Sequence, residues 1–389
     1  MNSQQQSSRI DYGLILILLM LFVVSCAAIY SAQTTGQYGE NFVVRQVVWY
    51  AIGIGIIMVM VRFDSDQFHG MAWYLYGLGI LLLLFLIVAP SSIAPTINGA
   101  KNWYKLPGLG TLQPSEFMKV FLILTLSRVM VNHHSKNPIK TIQSDWMLLI
   151  KLGSITALPL ALVIRQDLGT SLVMISILLG LIFVSGITWK ILLPLFGSAS
   201  ALIALVFYMV LWQPAVLEKY LGVRQYQFDR IYSWLDPYNY ESSIGFHLTR
   251  SLLAIGSGQT MGKGFGYREV YLPESHTDFI FSIIGEEYGF IGASVVVSLF
   301  FVLIYHITKL ALTTKVPYYS YMCAGVIAMI TFHAFQNIGM TIGLLPITGI
   351  PLPFISYGGS SMMGNMMALA LIFSITYNER HYMFSSDRS

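Results

Sequence analysis

Residues 272–310 read LPESHTDFIFSIIGEEYGFIGASVVVSLFFVLIYHITKL. A long apolar run opens directly behind Glu274, His276 and Asp278 and continues to Leu310. As one straight α-helix rising 1.5 Å per residue, the stretch from Asp278 to Leu310 reaches about 50 Å, whereas the hydrocarbon core of a bilayer is about 30 Å thick. The excess predicts that the first part of the helix projects from the membrane or lies in a cavity before the true span begins. Gly285, Gly289 and Gly292 are the positions at which it bends or packs closely. Helical spacing puts Asp278, Ser282, Gly285 and Gly289 on one face, a groove of small residues below a carboxylate. Beside the plain reading of a wet loop end, two readings of Asp278 stay open at this level. Either it caps the helix behind Thr277, with Glu286 and Glu287 as solvated interfacial charges, or it is a reactive carboxylate held at a membrane surface.

The rest of the chain has the same character. Of its 389 residues, 55% are hydrophobic and only 10% charged, which places it among polytopic membrane proteins and leaves no soluble domain of ordinary size. Stretches of roughly 20 apolar residues, enough for a spanning helix, lie near 12–33, 46–63, 70–90, 114–131, 146–164, 168–186, 190–212, 285–310, 318–344 and 356–377. The expectation is an all-α polytopic protein of about ten transmembrane helices, a single integral domain over 1–389, with a large extracytoplasmic loop, 213–277, between the seventh and eighth. Short loops rich in Lys and Arg stay in the cytoplasm. With Arg9 inside, Arg62, Arg128, Lys136, Lys140, Lys190, Lys309, Lys315, Arg380 and Arg388 also fall inside, both termini are cytoplasmic, and the outer loops hold mainly Arg45, Lys101, Lys105 and Arg165. The net charge of +4 is therefore a matter of topology, and without a basic block no nucleic-acid partner is expected. Cys26 and Cys323 fall inside predicted spans and read as buried thiols.

Ionisable residues at membrane depth are costly and mark function. Here the polar residues gather at one end, in NGAKNWYKLPGLGTLQPSEFMK (98–119), RQDLG (165–169), residues 213–277 and PITGIPLPFISYGGSS (346–361). Glu116 and Lys119 are spaced i, i+3 just inside a helix started by Pro114, so both lie on one face and form an ion pair. That pair either braces the fold or brings Lys119 to a substrate. SSIGFHLTRSLLAIGSG (242–258) reads as a short amphipathic helix lying along the interface and ending at Gly256. GSGQTMGKGFG (256–266) misses the Gly-x4-Gly-Lys-Ser/Thr spacing of a phosphate loop and reads mainly as a loop, although amides near Lys263 suit a lipid pyrophosphate. No metal-binding His or Cys motif and no Gly-x-Ser-x-Gly elbow occurs.

These motifs together, with FDRIYSWLDP (228–237), resemble the shape, elongation, division and sporulation (SEDS) family over nearly the whole chain, and NIGMTIGLLPITGIPLPFISYGGSS is most similar to its elongation branch. The resemblance implies a ten-helix peptidoglycan glycosyltransferase of the bacterial cell membrane that polymerises lipid II outside the cytoplasm, in a membrane complex with a class B penicillin-binding protein. Residue by residue, the family's essential aspartate falls on Asp278 and its Pro-Ser-Glu-x-x-Lys motif on Pro114 to Lys119. One departure is visible. Where many members have Arg before Trp, this chain has Asn102 before Trp103, and Lys101 is the nearest replacement charge.

The implied reaction joins the 4-hydroxyl of an acceptor N-acetylglucosamine to the anomeric carbon of a donor N-acetylmuramic acid in a β-1,4 link, releasing undecaprenyl pyrophosphate. It requires a base for the hydroxyl and a cation for the leaving group. Asp278 is the expected base, and Lys119, Arg230, Lys263 and Arg45 are the candidates for the pyrophosphate, with a divalent cation, Mg or Mn, left open. Glu116, Lys101, Gln113, Asp167 and His276 are expected to support the site. The rival readings are a transporter that flips lipid II and a scaffold without catalysis.

Overall fold

A computed structural model describes residues 11–34, 41–97, 99–106, 110–213, 231–240 and 245–385. Helices α1 to α7 are Tyr12–Gln33, Phe42–Met60, Ser65–Val88, Pro114–Lys136, Ile142–Val163, Leu168–Val184 and Trp189–Trp212. They are followed by α8 (Phe246–Ser257), α9 (Ile280–Thr313), α10 (Pro317–Thr341) and α11 (Gly359–Ser385). Every predicted apolar stretch coincides with one of these helices, and α8 is the amphipathic helix expected near 242–258. Among the described residues, eight helices are long and apolar enough to cross a membrane; α6 is apolar but shorter.

The starts of the helices follow from local chemistry. Asp11, Asn41, Thr141 and Asp167 accept hydrogen bonds from backbone N–H groups in the first turns of α1, α2, α5 and α6. Asp64 and Gln67 close a capping box on α3, and Pro114 occupies the first turn of α4, where its missing N–H costs nothing. Helix α4 is buried on nearly every side from Pro114 to Ser127 and touches α3, α5, α6, α10 and α11. The helix carrying Glu116 and Lys119 is thus the centre of the bundle, and apolar helices stand between it and lipid. A two-stranded hairpin between α3 and α4, β1 (Tyr104–Leu106) and β2 (Gly110–Leu112), pairs Tyr104 with Leu112 and adds a small element that the sequence reading lacks.

Helix α9 is broken where its length requires. Gly289 has φ 60° and ψ −156°, a conformation open essentially to glycine alone. The backbone groups released by the break are satisfied by the 256–266 loop: Phe290 N–H donates to Gln259 O at 2.9 Å and Ile291 N–H to Thr260 O at 3.2 Å, while Lys263 and Gly264 N–H donate to Glu286 and Glu287 O at 3.0 Å. Non-helical backbone persists at this depth because protein supplies the partners that lipid lacks. A methyl on Gly289 would lie 2.4 Å from Gly262 N and 2.7 Å from Thr260 O, backbone atoms that cannot step aside. Gly289→Ala is therefore expected to destabilise by about 1–3 kcal/mol from the dihedral alone, with the clash in addition. The check is a fall in thermal unfolding midpoint in detergent relative to Gly55→Ala, whose added methyl meets nothing.

Two expectations are corrected here. Glu286 and Glu287 are not solvated interfacial charges, since each is 1% exposed. Glu286 Oε1 accepts from Lys263 Nζ and Glu269 N–H, both at 2.9 Å, and Glu287 pairs with Arg268 at 3.4 Å and with the Ser31 hydroxyl. Nor does α8 lie free along the interface. It packs on α9 and α10, with Ser251 Oγ 2.6 Å from Ser282 Oγ and donating to Thr341 O at 2.7 Å. Cys26 and Cys323 form no disulfide.

Candidate active site

Asp278 immediately precedes α9, at the end of the bundle where α1, α3, α5, α7 and α10 finish. Phe279 occupies the N-cap position of α9 and no side chain caps that helix, so the Asp278 carboxyl is not spent as a cap. Its backbone is clamped instead. Asn337 Nδ2 of α10 donates to Asp278 O and to Ile350 O, both at 2.7 Å, Ser356 Oγ donates to Thr277 O at 2.6 Å, and Tyr357 N–H donates to His276 O at 2.9 Å. The loop before α9 and the loop between α10 and α11 are thereby locked together with Asp278 between them. Burial, and then the charges of Glu274 and Asp167, push the Asp278 carboxyl from its ordinary 3.8 up to about 7. A group with that pKa is poised to take or hold a proton near neutrality.

A polar cavity of about 260 Å³ opens beside it, between Ile97, Ala100, Asn102 and Trp103, the starts of α4 and α6, α10 and the 348–351 loop. Gly349 joins the two, since it lines the cavity and a Cβ built on it falls 3.3 Å from Asp278 Oδ2. Gln113, Glu116 and Asp167 all line this space. Asp167 caps α6 through Thr170 N–H at 2.8 Å and accepts from Gln113 Nε2 at 2.7 Å, so α4 and α6 are tied at the cavity wall. A larger crevice of about 800 Å³ among α1, α2 and α11 is mostly apolar and contains none of the expected site residues.

Lys119 stands behind the cavity. It is 1% exposed, and its ammonium donates to Glu116 Oε2 at 2.8 Å and to His333 Nε2 at 3.0 Å. An ammonium has no lone pair, so His333 Nε2 accepts and its Nδ1–H donates to Met329 O at 2.8 Å, which fixes a neutral tautomer. The arrangement favours the bracing reading of the pair over direct substrate contact. His276 stacks on Phe42 with ring centroids 4.3 Å apart, and burial, opposed by Glu274, lowers its pKa and keeps it neutral.

Two of the remaining candidate cations, Lys263 and Lys101, are engaged elsewhere. Lys263 is held by Glu286 and Glu269, beyond the far end of the first half of α9, about 12 Å along the helix. Burial pulls its pKa down, but the hydrogen bonds to those carboxylates outweigh this and leave it raised. Lys101 donates to Ile87 O at 3.2 Å and to Ala89 O, closing the end of α3, so it does not bring a replacement charge into the cavity. Asn102 does line the cavity, donating from Nδ2 to Gln166 O at 3.1 Å. Arg45 is exposed on the first turn of α2, and Arg230 lies outside the described residues. The described residues gather no group of three or more metal-ligating side chains. Asn337, Ser356 and Gly349 are site residues that the sequence reading missed. The available signal was His333 and Asn337, spaced i, i+4 on one face of an otherwise apolar helix.

Comparison with known proteins places the chain in a family. The family of FtsW, RodA and SpoVE, described as "Cell cycle protein", matches residues 6–381. The probable peptidoglycan glycosyltransferase FtsW of Nitrosomonas europaea is 33% identical, with 97% of this chain and 96% of that protein covered. The peptidoglycan glycosyltransferase MrdB of Escherichia coli is 32% identical, with 94% and 93% covered. A solved chain from a peptidoglycan synthase complex, in a study of how polymerization and crosslinking are coordinated, superposes with a TM-score of 0.75 at 25% identity, covering 95% of this chain and 98% of that one.

Proposed function

The chain belongs to the FtsW, RodA and SpoVE family and is a peptidoglycan glycosyltransferase, and from that premise we propose that it polymerises lipid II during cell-wall elongation, with Asp278 as the general base. The observation that carries this reading is a half-buried carboxylate whose pKa is about 7, clamped by its backbone beside a polar cavity at one end of a membrane bundle. The ionised Asp278 takes the proton of the acceptor 4-hydroxyl, and the oxygen forms a bond to the donor anomeric carbon. The bond from that carbon to the pyrophosphate oxygen breaks, and undecaprenyl pyrophosphate leaves with the electron pair. Attack opposite the leaving group inverts the α-linked donor to a β-1,4 product. The proton remains on Asp278 until solvent removes it. No protein acid is required, because pyrophosphate is already a good leaving group, but its charge still needs a cation beside it, for which Arg45, Arg230 and a divalent metal ion are the candidates.

The Asp278 end then faces away from the cytoplasm, in accord with the Lys and Arg residues that crowd loops at the opposite end. The natural partner is a class B penicillin-binding protein that crosslinks the new strand, in line with the pairing of polymerization and crosslinking in the similar synthase complex. The test is purified chain, with and without that partner, given lipid II in detergent, where no compartment exists to transport into. Glycan strands are expected. A folded complex that makes none, yet moves lipid II across vesicles, is a transporter; one that does neither is a scaffold.

A further inference from the structure

The loop that clamps Asp278 is itself held from its opposite side. Residues 350–357 run between α10 and α11 without regular helix, and Ile350, Leu352, Phe354, Ile355 and Ser356 are buried. Phe354 has φ 63°, in the left-handed region that a bulky side chain occupies only where its surroundings impose it. Irregular backbone inside a membrane bundle needs protein partners for its carbonyls.

Three consecutive carbonyls of this loop find their partners on α1 and α2. The Tyr50 hydroxyl donates to Phe354 O at 2.5 Å and the Ser25 hydroxyl to Ile355 O at 2.8 Å. Gln46 Nε2 donates to Ser356 O at 3.3 Å and to Ser25 Oγ at 3.0 Å, which ties the set together. Phe42, Gln46 and Tyr50 follow one another at i, i+4 and i+8 along the buried face of α2. Phe42, at the head of that face, packs on His276 and Tyr357, with ring centroids 4.3 and 4.9 Å away. An amide sunk in a spanning helix is costly, and among the described residues Gln46 Oε1 finds no partner, a cost that packing alone gives no reason to carry.

The other side of the same loop grips the residues in front of Asp278. Ser356 Oγ accepts from Leu352 N–H at 2.9 Å and donates to Thr277 O at 2.6 Å, while Tyr357 N–H donates to His276 O. Ser356 is thus fixed at its carbonyl by Gln46 and bears through its hydroxyl on the residue that precedes Asp278. We propose that Gln46, with Ser25 and Tyr50, is a positioning residue for Asp278: the polar face of α2 sets the 354–356 carbonyls, and these set the depth and direction of the carboxylate. The role so assigned rests on the reading of Asp278 as the base. A loop released from α2 lets the carboxylate shift and lets water reach it. A misplacement of about 1 Å costs roughly a hundredfold in rate, and a better hydrated carboxyl titrates nearer its ordinary value, below the 7 or so that burial gives it.

The experiment takes two readouts on the full chain in detergent. One is kcat and KM for lipid II; the other is the titration of the Asp278 carboxyl by infrared difference spectroscopy, its protonated C=O stretch being the band absent from Asp278→Asn. Tyr76→Phe is the control, because the Tyr76 hydroxyl donates to Ile155 O at 2.7 Å, a bond of the same kind that joins α3 to α5 rather than to the loop. Gln46→Leu and Tyr50→Phe are expected to lower kcat about tenfold to a hundredfold with KM changed less than about twofold. Both should also move the titration midpoint down by about half a unit or more, whereas Tyr76→Phe changes neither. Ser25→Thr, which keeps the hydroxyl, should stay closer to the wild type than Ser25→Ala. Tyr50→Phe removes a single oxygen atom and decides the matter where Gln46→Leu does not fold. A carboxyl that titrates as in the wild type in these variants overturns the positioning role whatever the rate does, and so does a loss of kcat or of folding that Tyr76→Phe shares. The two proposals fail separately. A wild type that makes no polymer, while the variants still displace the titration, loses only the polymerase reading; one that polymerises while the titration stays put loses only the positioning role.

Discussion

Asp278→Asn is expected to lower lipid II polymerisation by about a hundredfold to ten-thousandfold, the usual worth of a positioned general base. The substitution keeps the shape of the side chain and removes only its ability to accept a proton. Wild-type activity should rise with pH through about 7, because the base works only when ionised and its carboxyl is held at that value by burial and by Glu274 and Asp167. The linkage to stability runs the other way. A carboxyl raised from 3.8 to about 7 on folding is protonated in the native state while already ionised in the unfolded one, so it erodes stability as pH climbs between those values and does so fully above 7. Asp278→Asn should therefore match or exceed the wild type in thermal midpoint at pH 8 while being inactive. An unfolded variant, or one that retains most of its polymer yield, would remove Asp278 from the role of base.

The second large effect concerns the centre of the bundle. Lys119→Met leaves Glu116, 5% exposed, as a buried charge without its 2.8 Å partner and strips His333 Nε2 of its donor. Breaking one side of a buried pair costs about 3–5 kcal/mol, whereas replacing both sides by apolar groups is often close to neutral. Lys119→Met and Glu116→Gln alone are thus each expected to lower the unfolding midpoint and the yield of folded protein more than the double variant does. The double variant should regain most of the loss, a coupling between sites in direct contact. Equal damage from all three, with folding intact and activity gone, would mean that Lys119 meets the substrate after all.

The two effects separate what braces the site from what reacts in it, a distinction that i, i+3 spacing alone could not draw. The sequence placed Glu116 and Lys119 on one face, but only the packed bundle brought His333 onto the ammonium, so that Glu116 and His333 line the cavity while Lys119, 1% exposed, does not. Lys263 and Lys101 illustrate the same point in reverse. Both are cations in polar stretches, and both are held by partners that helix packing supplies: Glu286 in the first half of α9, and the carbonyls that end α3.

What the sequence determined by itself follows from short-range rules and from the solvent. Runs of about 20 apolar residues must become helices in lipid because every backbone group needs a partner, and a stretch too long for the bilayer had to break, which it does at Gly289. Asp278 was legible because a carboxylate at the head of such a helix is costly without a purpose. What tertiary structure alone decided is where the charges go and which remote groups clamp Asp278. Asn337, Ser356 and Gly349 come from loops and a helix 59 to 79 residues away in chain position. No periodicity encodes such distances, because pairing between remote segments is chosen by the packing of the whole bundle and by the requirement that every buried polar group find a partner.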